Sequence, residues 1–182
     1  PSPQPFLSPG DPRIMPDKLI IMGIGVTDPA HIKEYTKPRS SGFEWGVDIF
    51  RRMMEPCGWR VETVYFNSKY TYLIDCLMMQ IAEGIYAVPE MNPDLGPIWW
   101  TDLPQEIADN WDCVEVPFEE QQSGVCNSVV IGAGKFVMDA SCEKTAEILT
   151  KKGYSPVLVP YQTNWHTFHS GIHCSTCRIW SE

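Results

Sequence analysis

The feature that most constrains this chain is a strand–helix–strand pattern met three times along it. Each pass closes on a small or polar residue followed by an aromatic one, at Gly58-Trp59, Asn110-Trp111 and Gly153-Tyr154, and then runs into a strand. The spacing is roughly 45 to 50 residues, within the range that marks repeat architectures. One unit of that size leaves apolar surface bare, so the units must pack on one another. The pattern predicts an α/β fold.

The elements follow from local signals. Lys18 to Gly25 is a continuous apolar run closed by glycine, as in a buried strand. Phe43, Val47, Phe50 and Met54 recur at helical spacing, and Pro56 and Gly58 end that helix. Trp59 to Phe66 is β-branched and aromatic and predicts a strand. Tyr72 to Met78 and Gly84 to Val88 read as two short strands, followed by a helix through Leu103, Ile107 and Trp111 and a strand from Cys113 to Val116. Asn127 to Ile131 and Lys135 to Met138 form a hairpin around Gly132-Ala133-Gly134, where positive φ is available. Ser141 is placed to cap the next helix, Gly153 to end it, and Pro156 to Val159 returns as a strand. Residues 1–17, with six prolines by Pro16, read as an extended arm ahead of one domain over 18–182. Thr27 to Ser41 carries no element signal.

Charge and composition exclude several functions. A net charge of −9 opposes binding to nucleic acid or to an anionic membrane surface. No apolar run approaches the ~20 residues of a membrane span. Seven cysteines at scattered spacings make no small-domain disulfide framework and point to a reducing compartment. The first residue is proline rather than methionine, as expected of a processed, truncated or partial product.

The chemistry concentrates in the last fourteen residues, which hold two cysteines and two histidines, with His166 just upstream. Three uses are open: a nucleophilic thiol, a zinc site from His166, His169, Cys174 and Cys177, or a structural thiol at the end of the last strand. If Cys174 lies on a strand, the neighbouring His173 points to the opposite face, which disfavours a thiolate–imidazolium pair. Trp99, Trp100, Trp111 and Trp165 are expected to pack rather than to form a cage.

From Asn127 to Trp180 the chain resembles the last module of the glycine amidinotransferases, of the guanidino-modifying (pentein) superfamily. The motif Gly171-Ile172-His173-Cys174-Ser175-Thr176-Cys177 is similar to that family's Gly-aromatic-His-Cys-x-Thr-Cys. Val137-Met138-Asp139-Ala140 and Glu147-Ile148-Leu149 extend the likeness, which reaches back more weakly to Gly42-Phe43-Glu44-Trp45 and Ile74-Asp75. The resemblance implies a five-bladed propeller of ββαβ modules, of which this chain makes a partial one of about three. Closure of the ring then needs an upstream half or other protein subunits as partners.

The resemblance also implies roles. Cys174 takes the nucleophile position and Asp75 that of a carboxylate gripping a guanidinium. Leu73 stands where the family has its proton-shuttling histidine, Asn92 where it has an arginine, and Glu120-Gln121 where it has two serines. Loss of a general acid–base alone costs about 10²–10⁴-fold. The expectation is therefore a non-catalytic, amidinotransferase-like accessory subunit of a larger assembly, without cofactor and with a mitochondrial or otherwise cytoplasmic address. Two alternatives stand beside it. One is an active amidinotransferase or guanidine hydrolase fragment using Cys174, the other a module that binds guanidino ligands without turnover.

Overall fold

A computed structural model describes residues 7–8, 10–32, 42–132, 134–168 and 170–176. It contains three sheets of three strands, and all three are built alike. The first holds β1 (Pro12–Met15), β2 (Leu19–Val26) and β3 (Arg60–Asn67), the second β4 (Met79–Ala82), β5 (Ile85–Pro89) and β6 (Asp112–Val116), and the third β7 (Val129–Gly132), β8 (Lys135–Asp139) and β9 (Ser155–Val159). In each, an antiparallel hairpin is followed by a parallel third strand, which requires a crossover connection. The helix in that crossover is α1 (Gly42–Met54), α2 (Gln105–Asn110) and, after the short α3 (Phe118–Gln121), α4 (Glu143–Lys151). Among the described residues, the last helix or strand is α5 (Gln162–Phe168). The predicted α/β fold of three ββαβ modules is the one observed.

The chain divides into two compact units, Pro1–Ile74 with Asn92–Asp109, and Asp75–Met91 with Asn110–Glu182. In the first, one face of β2 (Ile20, Met22, Ile24, Val26) packs with Val47 of α1 and with Val61 and Tyr65 of β3. Phe50 and Met54 join this core as the helical spacing requires. The side chain of Phe43 lies outside the described residues, as do residues 33–41 of the stretch expected to be irregular. On the opposite face of β2, a Cβ at Gly23 would sit 2.4 Å from the Cβ of Ile74, so only glycine admits that side chain. In the second unit, β4, β5, β6, β8 and α4 share one core through Ile81, Ala87, Val116, Phe136, Met138 and Leu149. Gly58 and Gly153 have φ of 80° and 89°. Each lets the chain leave a helix in the left-handed region and enter the third strand of its module, as the repeat pattern implies.

Three local expectations are corrected. Pro12–Met15, inside the predicted arm, is an edge strand whose Ile14 pairs with Ile20. Tyr72 to Met78 is not a strand: Ile74–Cys76 is a 3-10 turn, and the hairpin begins at Met79. Ser141 does not cap α4. The Glu120 carboxylate, from α3, accepts from the N–H groups of Lys144 and Thr145 at 2.8 Å each and from the Thr145 hydroxyl at 2.5 Å. A carboxylate at a helix N-terminus satisfies otherwise unpaired donors and suits the dipole. Replacing Glu120 by alanine leaves these buried donors unmade and is expected to destabilise the chain by about 2 kcal/mol, measured by urea unfolding.

Among the described residues, no helix is long and apolar enough to cross a membrane, and the described cysteines form no disulfide.

Candidate active site

The second unit brings together residues from three separate stretches. The first is the turn Ile74–Cys76. Its Asp75 is 2% exposed and Cys76 is wholly buried. Two buried amides hold this turn by its carbonyls: Gln121 donates to Cys76 O at 2.6 Å and Asn127 donates to Asp75 O at 3.2 Å.

The second stretch is the 3-10 turn Val125–Asn127, which ends on Asn127, 0% exposed. The third is the segment after α5. Asp139, at the end of β8, fixes the approach to α5, accepting from Tyr161 N–H at 2.7 Å and from the Gln162 amide at 2.9 Å. Burial pushes the Asp139 carboxyl up, but these bonds and those from Ser141 hold it below the usual carboxylate range. Trp165 of α5 packs on Gly124, where a Cβ would meet the indole at 2.6 Å, and donates to Gln122 O. The indole is packing, as expected of it.

Beyond α5, the described residues 170–176 do not form the expected strand. Ser175 N–H donates back to Gly171 O and Thr176 N–H to His173 O, so Ile172 to Ser175 turn tightly. Asn127 holds this turn from both ends of its own residue. Its carbonyl accepts from His173 N–H at 2.8 Å, and its side-chain oxygen accepts from Cys174 N–H at 3.0 Å. In a turn, adjacent side chains diverge by about 100° rather than 180°. His173 and Cys174 therefore reach the same carboxylate. His173 Nδ1 lies 3.3 Å from Asp75 Oδ2, and Cys174 Sγ lies 3.1 Å from the same oxygen.

The sulfur is also contacted by its neighbours. Asn127 Nδ2 lies 3.1 Å from Cys174 Sγ and 3.3 Å from Cys76 Sγ. The Cys76 thiol in turn donates to Asp75 Oδ1 at 3.4 Å. The hydrogen bond from Cys76 is the largest influence on the Cys174 thiol. Burial opposes it, His173 adds to it, and Asp75 opposes it, with the net result that the thiol falls from an ordinary 9.0 to about 6. Cys76 is driven far upward by the same bond, by burial and by the Asp75 charge. That division is the physically sensible one. Cys174 is exposed and Cys76 is not, and the better-solvated sulfur carries the charge.

These positions overturn the expectation of a dismantled, non-catalytic site. An acid, an imidazole and a thiol with a depressed pKa stand together, their ligand atoms within 4.8 Å of one another. Leu73, which by resemblance occupies the histidine position, is half-buried and carries no proton. The imidazole beside the thiol comes instead from His173. The pseudoenzyme reading fails on this cluster, and with it the inert accessory-subunit role deduced from it. Of the four zinc candidates, His169 and Cys177 lie outside the described residues. Among those described, the grouping able to share a metal ion is Asp75, His173 and Cys174, without His166.

No protein-family model matches the chain, and no curated protein sequence matches it. Solved structures do. An amidinotransferase of saxitoxin biosynthesis from Microseira wollei superposes with a TM-score of 0.68 at 16% identity, over 94% of this chain and 46% of that one. The fold is pentein-type. Inosamine-phosphate amidinotransferase from Streptomyces griseus gives 0.65 at 14% identity, over 94% of this chain and 45% of that one. Dimethylarginine dimethylaminohydrolase from Pseudomonas aeruginosa gives 0.61 at 14%, over 90% and 52%. The chain thus spans about half the length of these pentein-type structures.

Sequence reasoning named Asp75 and Cys174 but assigned no role to Cys76 or Asn127. The cysteine directly after Asp75 was a visible signal. Asn127 left none, because its side-chain partners are 47 and more residues away in sequence.

Proposed function

We propose that this chain carries a cysteine-dependent guanidine-modifying site, acting on arginine-like compounds as an amidinotransferase or a guanidine hydrolase. The observation that carries this reading is the Asp75–His173–Cys174 cluster, with an accessible sulfur and a buried acid. The named structural relatives include enzymes of both kinds, which supports the substrate class without choosing between transfer and hydrolysis.

Each residue has a task. Asp75 accepts N–H bonds from the guanidinium, a charge-assisted pairing that a planar cation suits. The Cys174 thiolate adds to the central carbon, forming a C–S bond. The C–N bond to the departing amine then breaks as that nitrogen takes a proton from His173. The amidino group is left on sulfur. An incoming amine or water next gives a proton to His173, bonds to the same carbon and expels the thiolate. A guanidinium on Asp75 also occupies the carboxylate that otherwise opposes ionisation of Cys174.

The test is labelling of the folded chain by chloroacetamidine, a cationic mimic of the guanidinium. Stoichiometric alkylation of Cys174 at pH 7, slowed by added arginine and mapped by peptide mass, is expected. A folded chain whose Cys174 stays unlabelled, or is labelled without arginine protection, overturns the reading.

A further inference from the structure

We infer that Cys76 is a positioning residue for the nucleophile: its buried thiol donates a hydrogen bond to the Cys174 sulfur and so holds that sulfur as a thiolate. The inference rests on the reading of Cys174 as the nucleophile and adds to the site a residue with no proton-transfer task of its own.

The geometry around the two sulfurs supports it. Cys76 is completely buried and its carbonyl is held by Gln121 at 2.6 Å, so the side chain is fixed in place. Its sulfur lies 3.3 Å from the Asn127 amide that also lies 3.1 Å from Cys174 Sγ. Both thiols border one carboxylate, Cys76 at 3.4 Å from Oδ1 and Cys174 at 3.1 Å from Oδ2. Among the described residues, the charged or titratable groups in contact with this pair of sulfurs are Asp75 and His173, with the neutral Asn127 between them. When a guanidinium takes the oxygens of Asp75, the Cys76 proton is left with the thiolate as its acceptor. A buried thiol has little tendency to ionise, so it remains a donor over the whole working range.

The experiment follows the rate of Cys174 alkylation by neutral iodoacetamide against pH, by peptide mass, in the full chain. The wild-type profile is expected to rise with a midpoint near pH 6. Cys76→Val fills the space without a donor and is expected to move the midpoint up by a unit or more. Cys76→Ser keeps a donor and is expected to stay close to wild type. A Cys76→Val profile that overlays wild type overturns the inference.

Should Cys76→Val not fold, the native chain answers by ¹³Cβ shifts of labelled cysteine. Cys76 is expected to remain a thiol while Cys174 titrates, and to titrate at lower pH once Cys174 is capped. A Cys76 titration unmoved by capping overturns the inference equally. The two readings fail separately. Chloroacetamidine selectivity tests the substrate class, and the iodoacetamide midpoint tests Cys76.

Discussion

Exchanging Asp75 for asparagine is expected to slow alkylation of Cys174 by chloroacetamidine roughly 10²-fold while quickening alkylation by neutral iodoacetamide at pH 5. The two reagents separate the roles of one carboxylate. Asp75 is 2% exposed, so a cation that reaches it pairs with a poorly screened charge. Loss of a charge-assisted pair of this kind costs about 2–3 kcal/mol, which is close to two orders of magnitude in rate. The same carboxylate lies 3.1 Å from the sulfur and holds the Cys174 pKa up against the bonds that lower it. Asparagine removes that opposition, so the thiolate persists to lower pH and the neutral reagent gains. The sign of the shift follows: a midpoint near pH 6 in the wild type moves down. Equal slowing of both reagents would mean that Asp75 only holds the turn together, and the guanidinium-binding role would fall. The neutral reagent is also the folding control, since an accessible low-pKa thiol survives only in the assembled site.

The modules were legible because their determinants are local. Leu19 to Val26 is a strand in almost any surroundings, and Gly58 and Gly153 mark helix ends through a backbone region that few other residues tolerate. Ile74 to Met78 deceived for a physical reason. All five residues are buried, and a buried 3-10 turn shows the same unbroken burial as an interior strand. The C-terminal turn deceived more seriously. Taken as a strand, it put His173 and Cys174 on opposite faces and made the site look dismantled. Its true shape is imposed by Asn127, far away in sequence, and no local pattern encodes that restraint. The leucine at 73 reads, by resemblance, as the loss of one imidazole. That reading could not weigh a second imidazole whose direction depends on a long-range hydrogen bond.

Asn127 is accordingly the residue whose loss is expected to cost most. Asn127→Ala removes the acceptor of Cys174 N–H, the donor to Asp75 O and the amide shared by both sulfurs, all at a fully buried position. Each buried group left without a partner costs about 1–3 kcal/mol, so a total of about 3–5 kcal/mol is expected in urea unfolding. The tight approach of Gly171 reports on the same contact. A Cβ there would lie 2.4 Å from Asn127 Oδ1 and 2.6 Å from its Cβ, so Gly171→Ala must push the C-terminal turn away. The two variants differ in a useful way. In Gly171→Ala the amide remains and the sulfur moves; in Asn127→Ala the space opens and the turn loses its tether. Both are expected to carry the midpoint of Cys174 alkylation from near pH 6 toward that of an ordinary thiol, because the lowered value needs Cys76 and His173 at hydrogen-bonding distance. The double variant is the deciding measurement. Removing the Asn127 side chain relieves the clash, so Gly171→Ala should cost clearly less stability in that background than alone. Additive costs would place the two residues in separate interactions and remove Asn127 as the support of the site.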